Sequence, residues 1–455
     1  MIAADALLEA WRALRSEGSS AVVEHYVASR RFRSFSPAPR DWRPASSVPV
    51  LRVVATAPIA RFGGLQVQLL ARLAAEARQG PVALLYPLGY TGSGWRLEVE
   101  ANGERRALTF PLATRSRWPG DLPVDLEDTA FETAVETAAD VIGARAIHVE
   151  GLAGMPLTSL RRLRRPTLLQ IISLHDFGAF CPRPQLLEHP VLGFCGYCRD
   201  LERCGRCLRE SWPVDDAFQA ARRRAATALL TAADALVFPS DFLLRTHRDL
   251  FPGLPVERSR VIAPAGATSR RSHGAPSRPA RPLRHVAFVG TVQMQKGALV
   301  FAETVRRLRG SGIRWSSYGQ GEPAMLGRLR ELPDVKVRGF YRQGALPRLL
   351  RGDGVDLVLL LSIVPESYSL TLDECVRAGV PVVAFDVGAL RDRVPELGAG
   401  RLVPSREGAG GIVAALEEIL RDGRVPVVPP RAGARLPDAA TAAAAMRAVY
   451  RDLRL

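Results

Sequence analysis

The sequence almost lacks lysine. Lysine and arginine together number 62 among 455 residues, yet Lys296 and Lys336 are its two lysines, so arginine carries the net charge of +16. Abundant Ala, Arg, Gly and Pro are typical of the coding bias of a GC-rich genome. The arginines are scattered and do not gather with aromatic residues, so we do not expect a nucleic-acid partner. A lysine in a glycine-flanked loop, by contrast, calls for a chemical explanation.

Long hydrophobic runs are also missing. No apolar run approaches the ~18 residues that a membrane span needs. Near the N-terminus, acids and arginines interrupt the apolar residues, so the pattern of a signal peptide is absent. An apolar content of 47% and a charged content of 24% are typical of a soluble globular protein. These features predict a cytoplasmic protein.

The chain is too long for one ordinary core, which predicts at least two domains. Apolar strand patterns alternate with helical patterns along most of it, which favours parallel sheets covered on both faces, an α/β class. The predicted parts are a helical, basic leader (1–47), a first Rossmann-like domain (48–266) with a cysteine-rich insertion (181–207), a linker (267–284) and a second Rossmann-like domain (285–455). Two such doubly wound domains are expected to face each other across a central cleft, where a ligand belongs.

The stretch PESYSLTLDEC, which begins at Pro365, places two acids around the start of a predicted helix. Glu366 precedes that helix and Glu374 lies two turns inside it. Ser367 or Ser369 can cap the helix, whose free amides and dipole attract anions. An acid at the mouth of such a site suggests a ligand that carries hydroxyls as well as phosphate.

Three more loops follow predicted strands of the second domain. They hold glycines that permit close approach of the backbone, a lysine suited to a phosphate oxygen, and an aromatic side chain where a base could lie. The residues concerned are Gly290, Lys296 and Gly297; Gly319 and Gly321; and Phe340. Each loop alone is ordinary turn chemistry, but their order within one domain indicates a nucleotide-type ligand.

The first domain supplies two candidates on the other side of the cleft. Gly63 and Gly64 precede a predicted helix, so their amides can approach a phosphate or a sugar. His175 follows a strand that ends at Leu174. It is either a site residue or a histidine that hydrogen-bonds Asp176 to fix the loop.

These motifs resemble those of the retaining glycosyltransferases of family 4, which have the GT-B fold, over about residues 50–425. The Glu-x7-Glu motif of Glu366 and Glu374 carries most of the resemblance, and the Lys296-Gly297 loop, the Gly-x-Gly turn and the GG loop add to it. The resemblance implies transfer of a sugar from a nucleotide-sugar donor to a glycan or lipid-linked acceptor, with retention of configuration. The expected acceptor is a cell-envelope polysaccharide, a glycolipid or a related glycan.

The resemblance also implies a role for each matching residue. Glu366 contacts donor sugar hydroxyls, Glu374 contacts the ribose, and His175 lies by the donor sugar. Lys296 holds the diphosphate together with the helix amides. The residues of those amides are Ser369, Leu370 and Thr371.

One departure from the family concerns the residue after Gly290, which is Thr291 where the family usually has arginine. Arg61 is a candidate replacement. No Asp-x-Asp motif suggests a catalytic metal. A catalytically impaired sugar-nucleotide-binding protein is one alternative function, and a basic module that binds membranes or nucleic acid is another. Residues 155–165 could dock the first domain on an anionic membrane surface, which would suit a lipid-linked acceptor, or they form a solvated helix.

Five of the six cysteines lie between Cys181 and Cys207. Two Cys-x-x-Cys pairs within this segment are typical of metal ligands in a cytoplasmic protein. The residues are Cys195, Cys198, Cys204 and Cys207. A structural zinc is the favoured interpretation, with an iron–sulfur cluster, disulfides or free thiols as alternatives. The many prolines and glycines of the segment suggest that it needs the metal to become ordered.

Overall fold

The computed structural model describes residues 34–58, 64–88, 94–112, 124–266, 281–342 and 344–455, whose strands form two large sheets and one sheet of two strands. The strands are Ser36–Pro37 (β1), Val50–Val53 (β2), Val82–Pro87 (β3), Trp95–Ala101 (β4), Glu104–Phe110 (β5), Ala146–Glu150 (β6), Leu169–Ser173 (β7), Leu187–Glu188 (β8), Gly193–Phe194 (β9), Ala235–Phe238 (β10), Ser259–Val261 (β11), His285–Val289 (β12), Arg314–Tyr318 (β13), Val335–Gly339 (β14), Leu357–Leu360 (β15), Val382–Phe385 (β16) and Gly400–Val403 (β17).

The helices cover the faces of these sheets. They are Gly64–Glu76 (α1), Thr129–Ile142 (α2), Leu157–Leu163 (α3), Leu201–Arg209 (α4), Phe218–Ala232 (α5), Asp241–Leu250 (α6), Ala298–Arg307 (α7), Pro323–Arg330 (α8), Leu346–Gly352 (α9), Leu370–Ala378 (α10), Leu390–Leu397 (α11), Gly408–Asp422 (α12) and Ala439–Asp452 (α13).

The first sheet has the order β1-β5-β4-β3-β2-β6-β7-β10-β11. Most neighbours are parallel, as the alternation of strands and helices predicts, but β4 runs antiparallel to both β3 and β5. The sequence analysis missed this hairpin. Its turn is Asn102-Gly103, with φ of 52° and 79°, a pair typical of tight hairpin turns because both residues tolerate positive φ.

The second sheet has the order β14-β13-β12-β15-β16-β17 and is parallel throughout. Its central strands are buried: the side chains of Val286, Leu357 and Val382 have no exposed surface. The order of the strands reverses between β12 and β15. Ligands bind at such switch points, outside the carboxyl ends of the strands. The loops after β12 and β15 carry Lys296 and Glu366, respectively.

The last helix crosses from the second sheet to the first. The sequence analysis assigned it to the second domain, but Met446, Val449 and Tyr450 pack on buried residues of the first sheet, among them Val50 and Ile171. Of the predicted linker 267–284, only 281–284 belongs to the described residues. No helix in the described ranges is long and apolar enough to cross a membrane.

Candidate active site

A cleft of about 830 Å³ lies between the carboxyl ends of the two sheets. Most of the predicted site residues line it, from both sides. Those residues are Gly64, His175, Gly290, Lys296, Gly319, Phe340, Glu366, Ser369, Leu370, Thr371 and Glu374. Gly63 and Arg61 lie outside the described residues, and Gly321 is not among the residues that line the cleft.

Lys296 and Glu366 form an ion pair at the switch point of the second sheet. Nζ of Lys296 donates to Oε1 of Glu366 over 2.5 Å. The Lys296 side chain is 36% exposed and that of Glu366 is 17% exposed, so the pair borders the cleft without being sealed from it. A lysine held here gives the cleft a compact positive charge beside an acceptor of hydroxyl hydrogens.

The backbone around Glu366 is packed so closely that only glycine fits opposite it. A Cβ on Gly388 would lie 2.3 Å from the amide nitrogen of Glu366. The amide of Ala389 donates to the Glu366 carbonyl over 2.7 Å. These contacts fix the loop that carries Glu366, residues 361–369 (the acid-bearing loop), against the start of α11.

Ser369 caps α10, as the sequence predicts, and does so from a left-handed conformation. Its φ is 74° and its Oγ accepts a hydrogen bond from Leu372. A non-glycine residue in this region is strained, and such strain persists at functional sites because the surrounding structure imposes it. The first amides of α10 lack partners within the helix, and they lie at the cleft wall with Leu370 and Thr371.

Glu374 is mostly buried and lies one turn inside α10, not two as predicted, because the helix begins at Leu370. Burial is the main cause that raises the pKa of its carboxyl group to about 7, against an opposing hydrogen bond from the amide of Gly344. Burial also raises the pKa of the nearby Tyr341 well above its usual value, and the charge of Glu374 adds to that shift.

His175 lines the first-domain side of the cleft with both ring nitrogens engaged. The side-chain amide of Gln68 donates to Nδ1 over 3.0 Å, and Nε2 donates to the carboxylate of Glu150 over 3.1 Å. The alternative hydrogen bond to Asp176 is wrong, because both ring nitrogens have these other partners; the Asp176 carboxylate accepts from the amide of Gly178. Burial, followed by the charge of Arg72, lowers the pKa of His175 to about 3, so the ring is neutral.

Behind His175 lies a buried polar network that the sequence analysis missed. Glu150 pairs with Arg72, and Arg52 pairs with Glu76. Tyr450, which arrives on the last helix, accepts a hydrogen bond from Arg52 over 3.1 Å. The network therefore joins α1, the first sheet and α13 beneath the histidine.

The glycines of the second domain serve mainly to bring two loops together. A Cβ on Gly319 would lie 1.9 Å from the carbonyl oxygen of Gly290, and one on Gly321 would lie 2.4 Å from that of Val292. The loops after β12 and β13 therefore touch through their backbones. Phe340, with 47% of its surface exposed, stands at the end of β14 beside them.

The cysteine-rich segment makes several contacts with the rest of the protein. Leu186 and Leu208 are buried, and the ring of Tyr197 packs on those of Phe177 and Phe194. Asp200 caps α4, which fixes part of the segment as a helix.

The cysteines of this segment form no disulfide with one another. Cys198 and Cys204 lie near backbone carbonyls, and Cys207 accepts from the amide of His189 over 3.3 Å. Over the described ranges, no group of three or more His, Cys, Asp or Glu side chains could hold a metal ion.

The basic segment 155–165 forms α3 and gives no support for membrane docking. Its apolar residues are buried in the first core. Three of its arginines pair with acids: Arg162 with Glu127, Arg164 with Asp234 and Arg165 with Glu136.

Comparisons with known proteins bear on the fold and on the class of enzyme. Residues 284–422 match the family model described as glycosyl transferases group 1. No curated protein sequence matches the chain. A similar solved structure is sucrose-phosphate synthase from Thermosynechococcus elongatus, with a TM-score of 0.62 and 17% identity over 90% of this chain and 99% of that one.

Two other solved structures contain ligands. HepE from Anabaena in complex with UDP and glucose has a TM-score of 0.53 and 14% identity over 88% of this chain and 99% of its own. The catalytic domain of starch synthase IV from Arabidopsis thaliana, bound to ADP and acarbose, has a TM-score of 0.55 and 14% identity over 90% and 99%. The fold is GT-B. The matched domain marks the chain as a transferase of glycosyl groups.

Proposed function

We propose that this GT-B glycosyltransferase moves a sugar from a nucleotide-sugar donor to an acceptor with retention of configuration, as in family 4. The observation that carries the proposal is the Lys296–Glu366 pair at the switch point, beside the first amides of α10. A cation and free amides suit a diphosphate, and a carboxylate suits sugar hydroxyls. HepE and starch synthase IV, which share the fold, contain UDP with glucose and ADP with acarbose, and this supports the same ligand class here.

In the proposed complex the diphosphate lies against Lys296 and the amides of Ser369 to Thr371. Glu366 accepts from hydroxyls of the donor sugar, and Glu374 accepts from the ribose. The glycine loops and Phe340 border the base. On the first-domain side, Gly64 lies opposite α10: a Cβ added to it would be 3.5 Å from Cδ1 of Leu370.

The chemical step that we propose uses the leaving group as the base. The bond from the anomeric carbon to the phosphate oxygen breaks, and the acceptor oxygen bonds to the same face of that carbon. The acceptor proton passes to the departing diphosphate. The protein contributes positioning and stabilisation of the diphosphate charge. Neutral His175 borders the sugar and takes no proton, in keeping with its lowered pKa.

The acceptor that we propose is a cell-envelope polysaccharide, a glycolipid or a related glycan, reached from the cytoplasm or from the inner face of the membrane. A structural zinc bound by Cys195, Cys198, Cys204 and Cys207 remains a prediction of the sequence alone. It has no part in the step above.

Thr291 lines the cleft at the position where the resembled family usually has arginine. This favours a second candidate, a sugar-nucleotide-binding protein with impaired catalysis. A thermal-shift panel of nucleotide-sugars tests what the two candidates share, because a ligand that binds only the native state raises the unfolding temperature. We expect at least one nucleotide-sugar to stabilise the wild type and to stabilise Lys296→Ala less. A panel in which none has any effect would contradict both candidates.

A further inference from the structure

Three consecutive backbone carbonyls of the acid-bearing loop are held by two side chains. Oγ of Ser240 donates to the carbonyl of Ser367 over 2.6 Å. Nη1 of Arg393 donates to the carbonyl of Tyr368 over 2.8 Å and to that of Ser369 over 3.3 Å. These carbonyls directly precede α10 and directly follow Glu366.

The guanidinium of Arg393 is itself fixed on several sides. Nη2 donates to Oδ1 of Asp373 over 2.7 Å, and the group lies 3.6 Å from the centre of the Tyr368 ring. The Arg393 side chain is 11% exposed and that of Asp373 is 3% exposed. The Tyr368 hydroxyl donates to the other oxygen of Asp373 over 3.2 Å. A planar, charged fork in such a setting keeps its direction far better than a lysine would.

Ser240 makes its hydrogen bond to the loop from the opposite side of the cleft. It follows β10 of the first sheet and caps α6, where its Oγ accepts from the amide of Leu243 over 3.2 Å. Nearby, Arg245 of α6 pairs with Asp392 of α11 over 2.5 Å. The loop of the second domain is thus tied to the first domain next to Glu366.

The strain at Ser369 explains why such a hold is needed. A left-handed serine reverts to a relaxed conformation unless its surroundings oppose this. Hydrogen bonds that draw the carbonyls of residues 367–369 into the protein fix the peptide planes on both sides of Ser369. Those planes set the direction of the amides at the start of α10.

We propose that Arg393 and Ser240 are positioning residues, which hold the loop from Glu366 to Ser369 in the shape that presents its amides to the donor diphosphate. Arg393 acts from within the domain, and Ser240 acts only when the first domain lies against it. The inference rests on the proposed function, since it assumes a nucleoside diphosphate in the cleft.

The test compares Arg393→Gln with Arg391→Gln, which removes an exposed arginine from the same helix. Calorimetry measures the dissociation constants of a nucleoside diphosphate and of the matching nucleoside, with the base chosen from the stabilising donor. For Arg393→Gln we expect the diphosphate to bind ~10-fold more weakly or worse, with nucleoside affinity unchanged, because only the phosphate contacts the oriented amides. Arg391→Gln should match the wild type for both ligands.

Ser240 provides a second arm that does not depend on the folding of the Arg393 variant. Ser240→Ala removes the hydroxyl, and Ser240→Thr keeps it. The control is Ser259→Ala, which removes a buried hydroxyl that donates to the carbonyl of Pro255 in the same domain. We expect Ser240→Ala to lower kcat ~10-fold by misaligning groups that act in the transition state, and Ser240→Thr to recover most of it.

The outcomes separate the two claims. If the wild type binds neither nucleoside diphosphates nor nucleotide-sugars, the proposed function fails. If the wild type binds them but Arg393→Gln binds the diphosphate equally well, or Ser240→Ala keeps wild-type kcat, the positioning role of that residue is wrong. Equal losses of nucleoside and diphosphate affinity in Arg393→Gln would also overturn it, since they indicate general damage to the site.

Discussion

Nζ of Lys296 lies 2.5 Å from Oε1 of Glu366, and these residues come from loops 70 positions apart in the sequence. The two loops meet because β12 and β15 are neighbours in the second sheet, on either side of its switch point. The pair is thus a product of topology, and it places a cation and a carboxylate at one end of the cleft.

We expect Lys296→Ala and Glu366→Gln each to lower turnover by ~10²-fold or more, because both groups are proposed to act on charge and hydroxyls in the transition state. The second lysine offers a matched control. Lys336 is exposed on β14 and does not line the cleft, so Lys336→Ala should keep the wild-type rate. Wild-type turnover in either of the first two variants would remove that residue from the site.

Glu374→Ala should weaken nucleotide binding more than it slows the chemical step, because ribose contacts are equal in the ground and transition states. Titration of free nucleotide by calorimetry measures the first effect, and kcat at saturating donor measures the second. An unchanged dissociation constant would separate Glu374 from the nucleotide.

The raised pKa of Glu374 gives nucleotide binding a pH dependence. Since its carboxyl pKa is about 7 in the folded protein, the carboxylate that accepts from ribose hydroxyls is formed only as the pH rises through that value. Nucleotide affinity should therefore increase between about pH 6 and about pH 8. Glu374→Gln, which cannot ionise, should lose this slope, and a slope that persists in the variant would have another origin.

His175 should contribute no ionisation to catalysis. Its pKa is lowered to about 3, chiefly by burial, so the ring stays neutral at any pH where the enzyme works. We expect His175→Gln to lower turnover without removing an inflection from the pH profile of kcat. If the wild-type profile has an inflection near pH ~6.5 that disappears in the variant, the ring titrates after all.

The cysteine-rich segment is either a zinc site or a set of ordinary thiols. The paired Cys-x-x-Cys spacing predicts about one zinc per chain, and Leu186, Leu208 and Tyr197 add protein contacts to the same part of the chain. Elemental analysis of reduced, tag-free protein decides between them. A metal-free, fully active sample would make these residues ordinary thiols, and stoichiometric zinc that Cys198→Ser plus Cys207→Ser removes would confirm the site.

Much of the fold could be predicted from the sequence, because strands buried in a parallel sheet form continuous apolar runs, such as residues 357–361. The hairpin of β4 and β5 was missed although Asn102-Gly103 marks its turn, since strands that alternate charged with apolar residues resemble surface segments. The position of the last helix depends on tertiary packing. No local sequence pattern indicates that Tyr450 contacts Arg52 in the first domain.

The candidate site was predictable where residue type was informative. Lys296 stands out because lysine is so rare in this chain, and Glu366 stands out because it sits in front of a helix. Arg393 could not be found in the same way, since one arginine among so many carries no signal until the carbonyls beside it are seen. The partners of His175, Gln68 and Glu150, likewise depend on how α1 lies across the first sheet.

If the cleft transfers a sugar from a nucleotide donor, the protein should release nucleoside diphosphate from the donor that stabilises it. This release can be measured directly. Water can serve as a slow acceptor while the natural one is unidentified. The account predicts release above the rate in buffer, a liberated sugar that first appears with the anomeric configuration of the donor, and loss of this activity in Lys296→Ala and Glu366→Gln but not in Lys336→Ala. Tight binding of a nucleotide-sugar with no release, whether water or glycan acceptors are supplied, would contradict it and leave a binding protein.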